Sequence, residues 1–188
     1  MTQEKVLSRL ASGNERFVAD RLAGKLGDNK RRKELTKGQS PWAIVLSCAD
    51  SRVVPEMAFD TGLGELFTVR VAGNVANSSS VASMEYAVAH LKTNVIVVMG
   101  HESCGAVTAA MAGGDNGYNL NHLLAHIAPA VNASSAKASV NKVVKKNAQM
   151  VAGELIDRST IIRDAVLKGK LLIVPAYYNL GSGKVDFL

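Results

Sequence analysis

The sequence predicts an α/β fold: a central, mostly parallel sheet flanked by helices, with an N-terminal helical arm and a C-terminal edge strand. Three observations predict it. The runs "WAIVLS", "VIVVMG" and "KLLIVPAYY" are β-branched and lack polar alternation, so they read as strands buried on both faces. Segments with apolar residues at helical spacing separate these runs, as crossovers between parallel strands require. The chain has 188 residues, enough for one sizeable core, and no repeat, low-complexity tract or linker divides it. The expectation is one domain over 1–188, with a helical arm and basic connection at 1–40 and the α/β core at 41–188.

Residues 4–20 place Val6, Leu7, Leu10, Phe17 and Val18 at helical spacing. Then comes "KLGDNKRRKELTKG" (25–38), the densest basic cluster of a chain with formal charge +6. Acidic residues dilute it and no aromatic residue interleaves it. It reads as a solvated loop or helix end, not as a nucleic-acid patch. Pro41 leads into the strand Trp42–Ser47, Pro55 opens a helical turn, and "ELFTVRVAGN" reads as a second strand ending at Gly73 and Asn74. "SSSVASMEYAVAHLKT" is a helix, with Ser78–Ser80 as cap candidates and Val81, Met84, Val88 and Leu91 as its buried stripe. "CGAVTAAMAGG" forms a helix that stops at its double glycine. Helices are expected over Leu120–Val131, Ala138–Asp157 and Ser159–Lys168, before the last buried strand and a short edge strand within "LGSGKVDFL".

Several function classes fall away. No apolar run approaches the ~20 residues that cross a bilayer, the first residues carry no secretory h-region, and two cysteines make no disulfide framework. A cytoplasmic protein with reduced thiols is expected, or a mature exported form in which Met1 replaces a removed leader.

The chemistry concentrates at two strand ends. "SCADSRV" places Cys48, Asp50 and Arg52 directly after the first buried strand; "HESCG" places His101 and Cys104 directly after "VIVVMG". In open α/β sheets ligand sites form at the carboxyl ends of the strands. Two thiolates and an imidazole suit a borderline-soft ion such as zinc, and three protein ligands leave a fourth position open, as catalytic sites do. Free cysteines are often only small buried hydrophobes; here both follow buried strands together with a histidine. A cysteine-phosphatase loop would need arginine six residues after Cys48, where Val54 stands, and a CxxC redox pair is absent. Arg52 can hold Asp50 in a bidentate pair, keeping the carboxylate beside the metal position without occupying it. His122 and His126 lie four apart, but "HLLAH" lacks the glutamate of a zinc-protease motif, and they read as exposed or capping side chains. His90 falls late in its helix, at the negative end of the dipole.

At these residues the chain resembles the β-class carbonic anhydrases over nearly its whole length. "SCADSRVVPE" and "GHESCGAV" carry the likeness, supported by "GELFTVRVAGN", "SMEYAVAHL" and "YYNLGSGKVDFL". The resemblance implies Cys48, His101 and Cys104 as Zn2+ ligands, Asp50 and Arg52 as the catalytic dyad, and Gln39 as a bicarbonate-binding residue. Phe67 and Ala72 are candidate walls of a carbon dioxide pocket, and backbone amides near Gly105 are candidates for holding bicarbonate oxygens. Val45 stands where a bicarbonate-inhibited bacterial subgroup has tryptophan, which argues against that subgroup's allosteric site. Val71 replaces an asparagine common in the family, and Pro175-Ala176 stands where glycine is usual.

The activity implied is reversible hydration of carbon dioxide to bicarbonate and a proton. The same zinc fold acting on carbon disulfide or a related small substrate, and a non-catalytic zinc-stabilised scaffold, are the alternatives. The resemblance further implies a dimer as the smallest unit, or an assembly of dimers, with the N-terminal helix lying across the partner and the cleft at the interface. Neither nucleic acid nor membrane is an expected partner.

Overall fold

The computed structural model describes residues 1–24 and 27–188. Lys25 and Leu26, at the head of the basic cluster, lie outside the described residues. Among the described residues five strands form one sheet in the order β2-β1-β3-β4-β5. These are β1 (Ala43–Ser47), β2 (Leu66–Arg70), β3 (Val95–His101), β4 (Leu172–Tyr178) and β5 (Val185–Phe187). The first four are mutually parallel and β5 closes one edge antiparallel, as the buried runs and the terminal edge strand predicted. The side chains of β1 alternate even though all are buried. Ile44 and Leu46 join one core layer; Ala43 and Val45 join the other.

Helices close both faces. The first layer lies under α4 (Ser78–Ala89), α8 (Val140–Arg158) and α9 (Thr160–Leu167), through Met84, Val151, Leu155 and Ile162. The second lies under α1 (Gln3–Val18) and α3 (Pro55–Ala58), through Val6, Leu10 and Ala58, with Phe59 just beyond. The apolar stripe of α1 covers the chain's own sheet, with Val6 and Leu10 fully buried. Asn14 locks it there: its amide nitrogen donates to Ala58 O and Gly183 O, and its oxygen accepts from Val185 N.

Contact along α1 is close enough to forbid a methyl group. A Cβ at Gly13 would lie 1.9 Å from the backbone oxygen of Phe59. Gly13→Ala must therefore push α1 off the sheet, at a cost of about 3 kcal/mol, or roughly 6–12 °C in melting temperature. Thermal unfolding checks this; an unchanged midpoint would show that α1 does not need that contact.

Boundaries differ from expectation where local chemistry intervenes. The helix expected over Leu120–Val131 is two, α6 (Tyr118–Ala125) and α7 (Ala128–Asn132). Pro129 has no N–H to give and its ring crowds the carbonyl four residues earlier, that of Ala125, where α6 ends. The cap of α4 is Asn77, whose side chain accepts from Ser80 N at 2.9 Å, because Asn77 and not a serine takes the extended conformation an N-cap needs. Strand β2 stops at Arg70, and Ala72–Asn74 turn in a short 3-10 segment with Gly73 at φ 69°. Within the basic cluster, α2 (Asn29–Leu35) forms, capped by Asp28. Pro175 is tolerated inside β4 because its nitrogen faces the open end of β5, where only Leu188 pairs.

Candidate metal centre

Three of the sequence-predicted residues meet at the carboxyl edge of the sheet. Cys48 follows β1, His101 ends β3, and Cys104 caps α5 (Gly105–Ala112). Their ligand atoms all lie within 4.8 Å of one another, and all three residues are buried. Val75, Val107, Ile127 and Tyr177 surround the thiols and keep water away. The ring of His101 is oriented by its own neighbour. Nδ1 lies 2.8 Å from the carbonyl oxygen of Glu102, which can only accept, so Nδ1 carries the hydrogen. Nε2 is then buried with no hydrogen-bond partner among the described residues. An orphaned nitrogen facing two thiols, within a span that one ion bridges, fits a metal of zinc's preferences.

The two thiols share one proton. The neighbouring Cys104 thiol, assisted by the backbone amides of Asp50 and Gly73, pulls the pKa of Cys48 well down in spite of burial. Cys104 moves up, because the Cys48 sulfur competes for the same proton and burial adds to it. The Gly73 N–H donates to Cys48 Sγ at 3.3 Å.

Asp50 stands beside this cluster without joining it. Arg52 grips it in a fork: Nε donates to Oδ1 at 2.9 Å and Nη2 to Oδ2 at 2.7 Å, while the Arg52 backbone N–H adds a third bond to Oδ1 at 3.0 Å. The Arg52 guanidinium therefore holds the Asp50 carboxyl far below the usual carboxylate range. Oδ2 remains 3.8 Å from His101 Nε2, close enough to face whatever the cluster binds.

The remaining predicted residues divide. Gly105 is exposed as the first residue of α5, with open space where a Cβ would stand, and its N–H belongs to the helix's positive end. Ala72 is half-buried in the turn next to Gly73. Gln39 is exposed in the connection ahead of β1, at the opposite end of that strand from Cys48. Phe67 sits three residues before Arg70, the residue level with the end of β1, and its ring packs 6.4 Å from that of Tyr86. Within one chain neither Gln39 nor Phe67 joins the cluster. His122 on α6 stacks edge-to-face with His126 at its C-cap, and His90 caps α4 against Tyr86. A surface cleft of about 950 Å³ is lined by none of the predicted site residues; three ion pairs cross it, Arg9 with Glu65, Arg16 with Asp60 and Arg31 with Glu34.

Sequence reasoning missed the residues that hold the ligand loops. Arg70 donates to the backbone oxygens of Cys48 at 3.0 Å and Asp50 at 2.6 Å, tying the first loop to the end of β2. An arginine closing a strand at the site's edge was the available signal. The Glu102 carboxylate accepts from Leu180 N and Gly181 N, fixing the residue that orients His101. From α8, Asn141 accepts from Ser103 N, and Asn147 donates to Gly73 O at 3.0 Å. Asn147 interrupts an apolar stripe, which is the signal it leaves in the sequence.

The fold and the cluster together define an α/β enzyme built around a Cys2His set at the carboxyl edge of its sheet. The family model described as carbonic anhydrase matches residues 43–185. A carbonic anhydrase of Mycolicibacterium smegmatis is 40% identical over 183 residues, covering 94% of this chain and 89% of the relative. The β-carbonic anhydrase of Coccomyxa, solved with acetazolamide, superposes with a TM-score of 0.77 at 24% identity, over 98% of this chain and 82% of the other. One of two tetrameric β-carbonic anhydrases of Sordaria macrospora gives 0.76 at 22% identity, over 98% and 97%. The chain belongs to the carbonic anhydrase family, and its fold is that of the β class.

Proposed function

We propose that the protein catalyses the reversible hydration of carbon dioxide to bicarbonate and a proton, with a zinc ion held by Cys48 Sγ, His101 Nε2 and Cys104 Sγ. The observation that carries this is the unpartnered His101 Nε2 facing two thiols, with a fork-held Asp50 alongside. Zinc, when bound, supplies Lewis-acid activation of water at neutral pH. The chain's own residues do the rest. Asp50, ionised and acceptor-only, would accept a hydrogen bond from the attacking water and so aim its lone pair at the substrate carbon. Arg52 keeps Asp50 from turning onto the ligand cluster itself. The Gly105 N–H, unpaired at the start of α5, is placed to hold an oxygen of the anionic product. Val75, Val107 and Ile127 exclude bulk water from the thiols.

Gln39 and Phe67 complete the site from a second copy of the chain. Gln39 precedes β1 while the cluster follows it, so one copy cannot bring them together. The unit is accordingly a dimer or an assembly of dimers with its clefts at the interface; the Sordaria relatives are tetrameric. Residues 1–40 and 41–188 act as one domain. No helix among the described residues is long and apolar enough to cross a membrane.

Zinc content measured beside stopped-flow carbon dioxide hydration tests the proposal. About one zinc per chain is expected. The rate should rise with pH through a transition near or above neutrality. Asp50 cannot be the source of that transition. Its pKa is depressed, so it is ionised across the neutral range, and its contribution to stability disappears only as pH falls below the ordinary value of about 4. A protein that neither carries nor takes up zinc, or a rate that is flat between about pH 6 and 9, would sink the reading. A scaffold would show zinc without turnover; a sulfur substrate would show turnover of carbon disulfide in preference to carbon dioxide.

A further inference from the structure

We propose that Asn147 is a positioning residue for the metal centre: through the Gly73 turn it aims the N–H that hydrogen-bonds the Cys48 sulfur, and so sets metal affinity. The inference rests on the metal reading of Cys48, His101 and Cys104 given above.

Asn147 lies in the middle of α8 among Val143, Val144, Ala148 and Val151, all buried, and is itself 1% exposed. A leucine would satisfy that stripe; an amide there needs a partner. The partner is Gly73 O, 3.0 Å from Nδ2 and 74 residues away in sequence. Gly73 must be glycine, because it lies at φ 69° and a Cβ would come within 2.6 Å of Ile127 Cδ1. Glycine is also the residue least able to hold its own orientation. Two outside contacts fix it: Asn147 on its carbonyl, and the turn closed by Asn74 N to Val71 O at 2.9 Å. With both in place the Gly73 N–H lies 3.3 Å from Cys48 Sγ. Without the Asn147 donor, the buried carbonyl of Gly73 has to seek another partner. The turn then rotates and takes its N–H off the sulfur. Outer contacts that orient a ligand typically govern metal affinity by about 10–100-fold.

Asn14 supplies the comparison a purely structural role requires. It is also buried and bonds three backbone groups, but on the opposite face of the sheet and away from the cluster.

The test uses the full chain with Asn147→Leu, Asn147→Ser and Asn14→Ser. Zinc affinity is read by chelator competition, the thiolate-to-metal charge-transfer band on the cobalt-substituted protein, and the melting temperature on the metal-free protein. Both Asn147 variants should bind zinc about 10–100-fold more weakly and show a shifted or weakened band per bound cobalt. Asn14→Ser should melt lower with affinity and band unchanged. If Asn147→Leu does not fold, Asn147→Ser, too short to reach Gly73 O, decides alone. Affinity within roughly threefold of wild type and an unchanged band would overturn the inference and leave the zinc site standing. A wild-type protein that takes up neither zinc nor cobalt would overturn the metal reading itself.

Discussion

Replacing Cys48 with serine is expected to remove the metal and the activity together. Zinc should fall from about one per chain to under about a tenth, and hydration to below roughly a thousandth of wild type. The reason is chemical rather than steric. A serine hydroxyl occupies nearly the same volume but stays protonated at neutral pH, so the cluster keeps only one thiolate and one imidazole. The Gly73 N–H, which the sulfur accepts at 3.3 Å, would still have an oxygen to meet, so the loop need not collapse. The strand feeding the position, Ala43–Ser47, is buried along its whole length and does not depend on the sulfur. Metal analysis and stopped-flow rates on the same folded sample, checked by far-ultraviolet circular dichroism, settle the matter. Full zinc occupancy with full activity in Cys48→Ser would place the metal elsewhere.

Arg52→Ala should separate metal from turnover. Zinc should stay near one per chain, since none of the three ligands is touched, while hydration drops by about 10³-fold. Three hydrogen bonds from Arg52 hold the Asp50 carboxylate in place. Only the backbone bond survives the substitution. Asp50 Oδ2 already lies 3.8 Å from His101 Nε2, so a freed carboxylate has a short path onto the cluster's fourth position. Arg52→Lys should recover about tenfold at most, because a single ammonium cannot grip both oxygens in one plane. A structure of the alanine variant with Asp50 turned onto the cluster would show the cause directly. Activity near wild type would mean that the pair serves the loop and not the chemistry. The Asn147 variants differ from both in expected signature, weakening the metal while leaving the Asp50–Arg52 fork whole.

The five residues at the centre of the proposal were legible because each belongs to a short motif at a strand end. Cys48, Asp50 and Arg52 span five positions after β1, and His101 and Cys104 four positions at the end of β3. A parallel sheet brings such ends to one edge, so the sequence predicts their meeting before any contact is seen. The fold class was legible for the same reason: buried runs and helical periodicities are local patterns. Local rules also governed the misread boundaries. Pro129 ends a helix and Asn77 outcompetes three serines as a cap by backbone conformation, which composition alone does not reveal.

What the sequence by itself determined is the architecture, the Cys-His-Cys set and the carboxylate–guanidinium pair beside it. Only the tertiary structure decided what holds them. Arg70, Glu102, Asn141 and Asn147 act mainly on backbone N–H and C=O groups, which every residue carries and no motif marks. The packing of α1 on its own sheet and the distance of Gln39 from Cys48 are likewise products of chain path. A residue's neighbours in sequence set its conformation, but its partners across 74 positions are set by how the layers close.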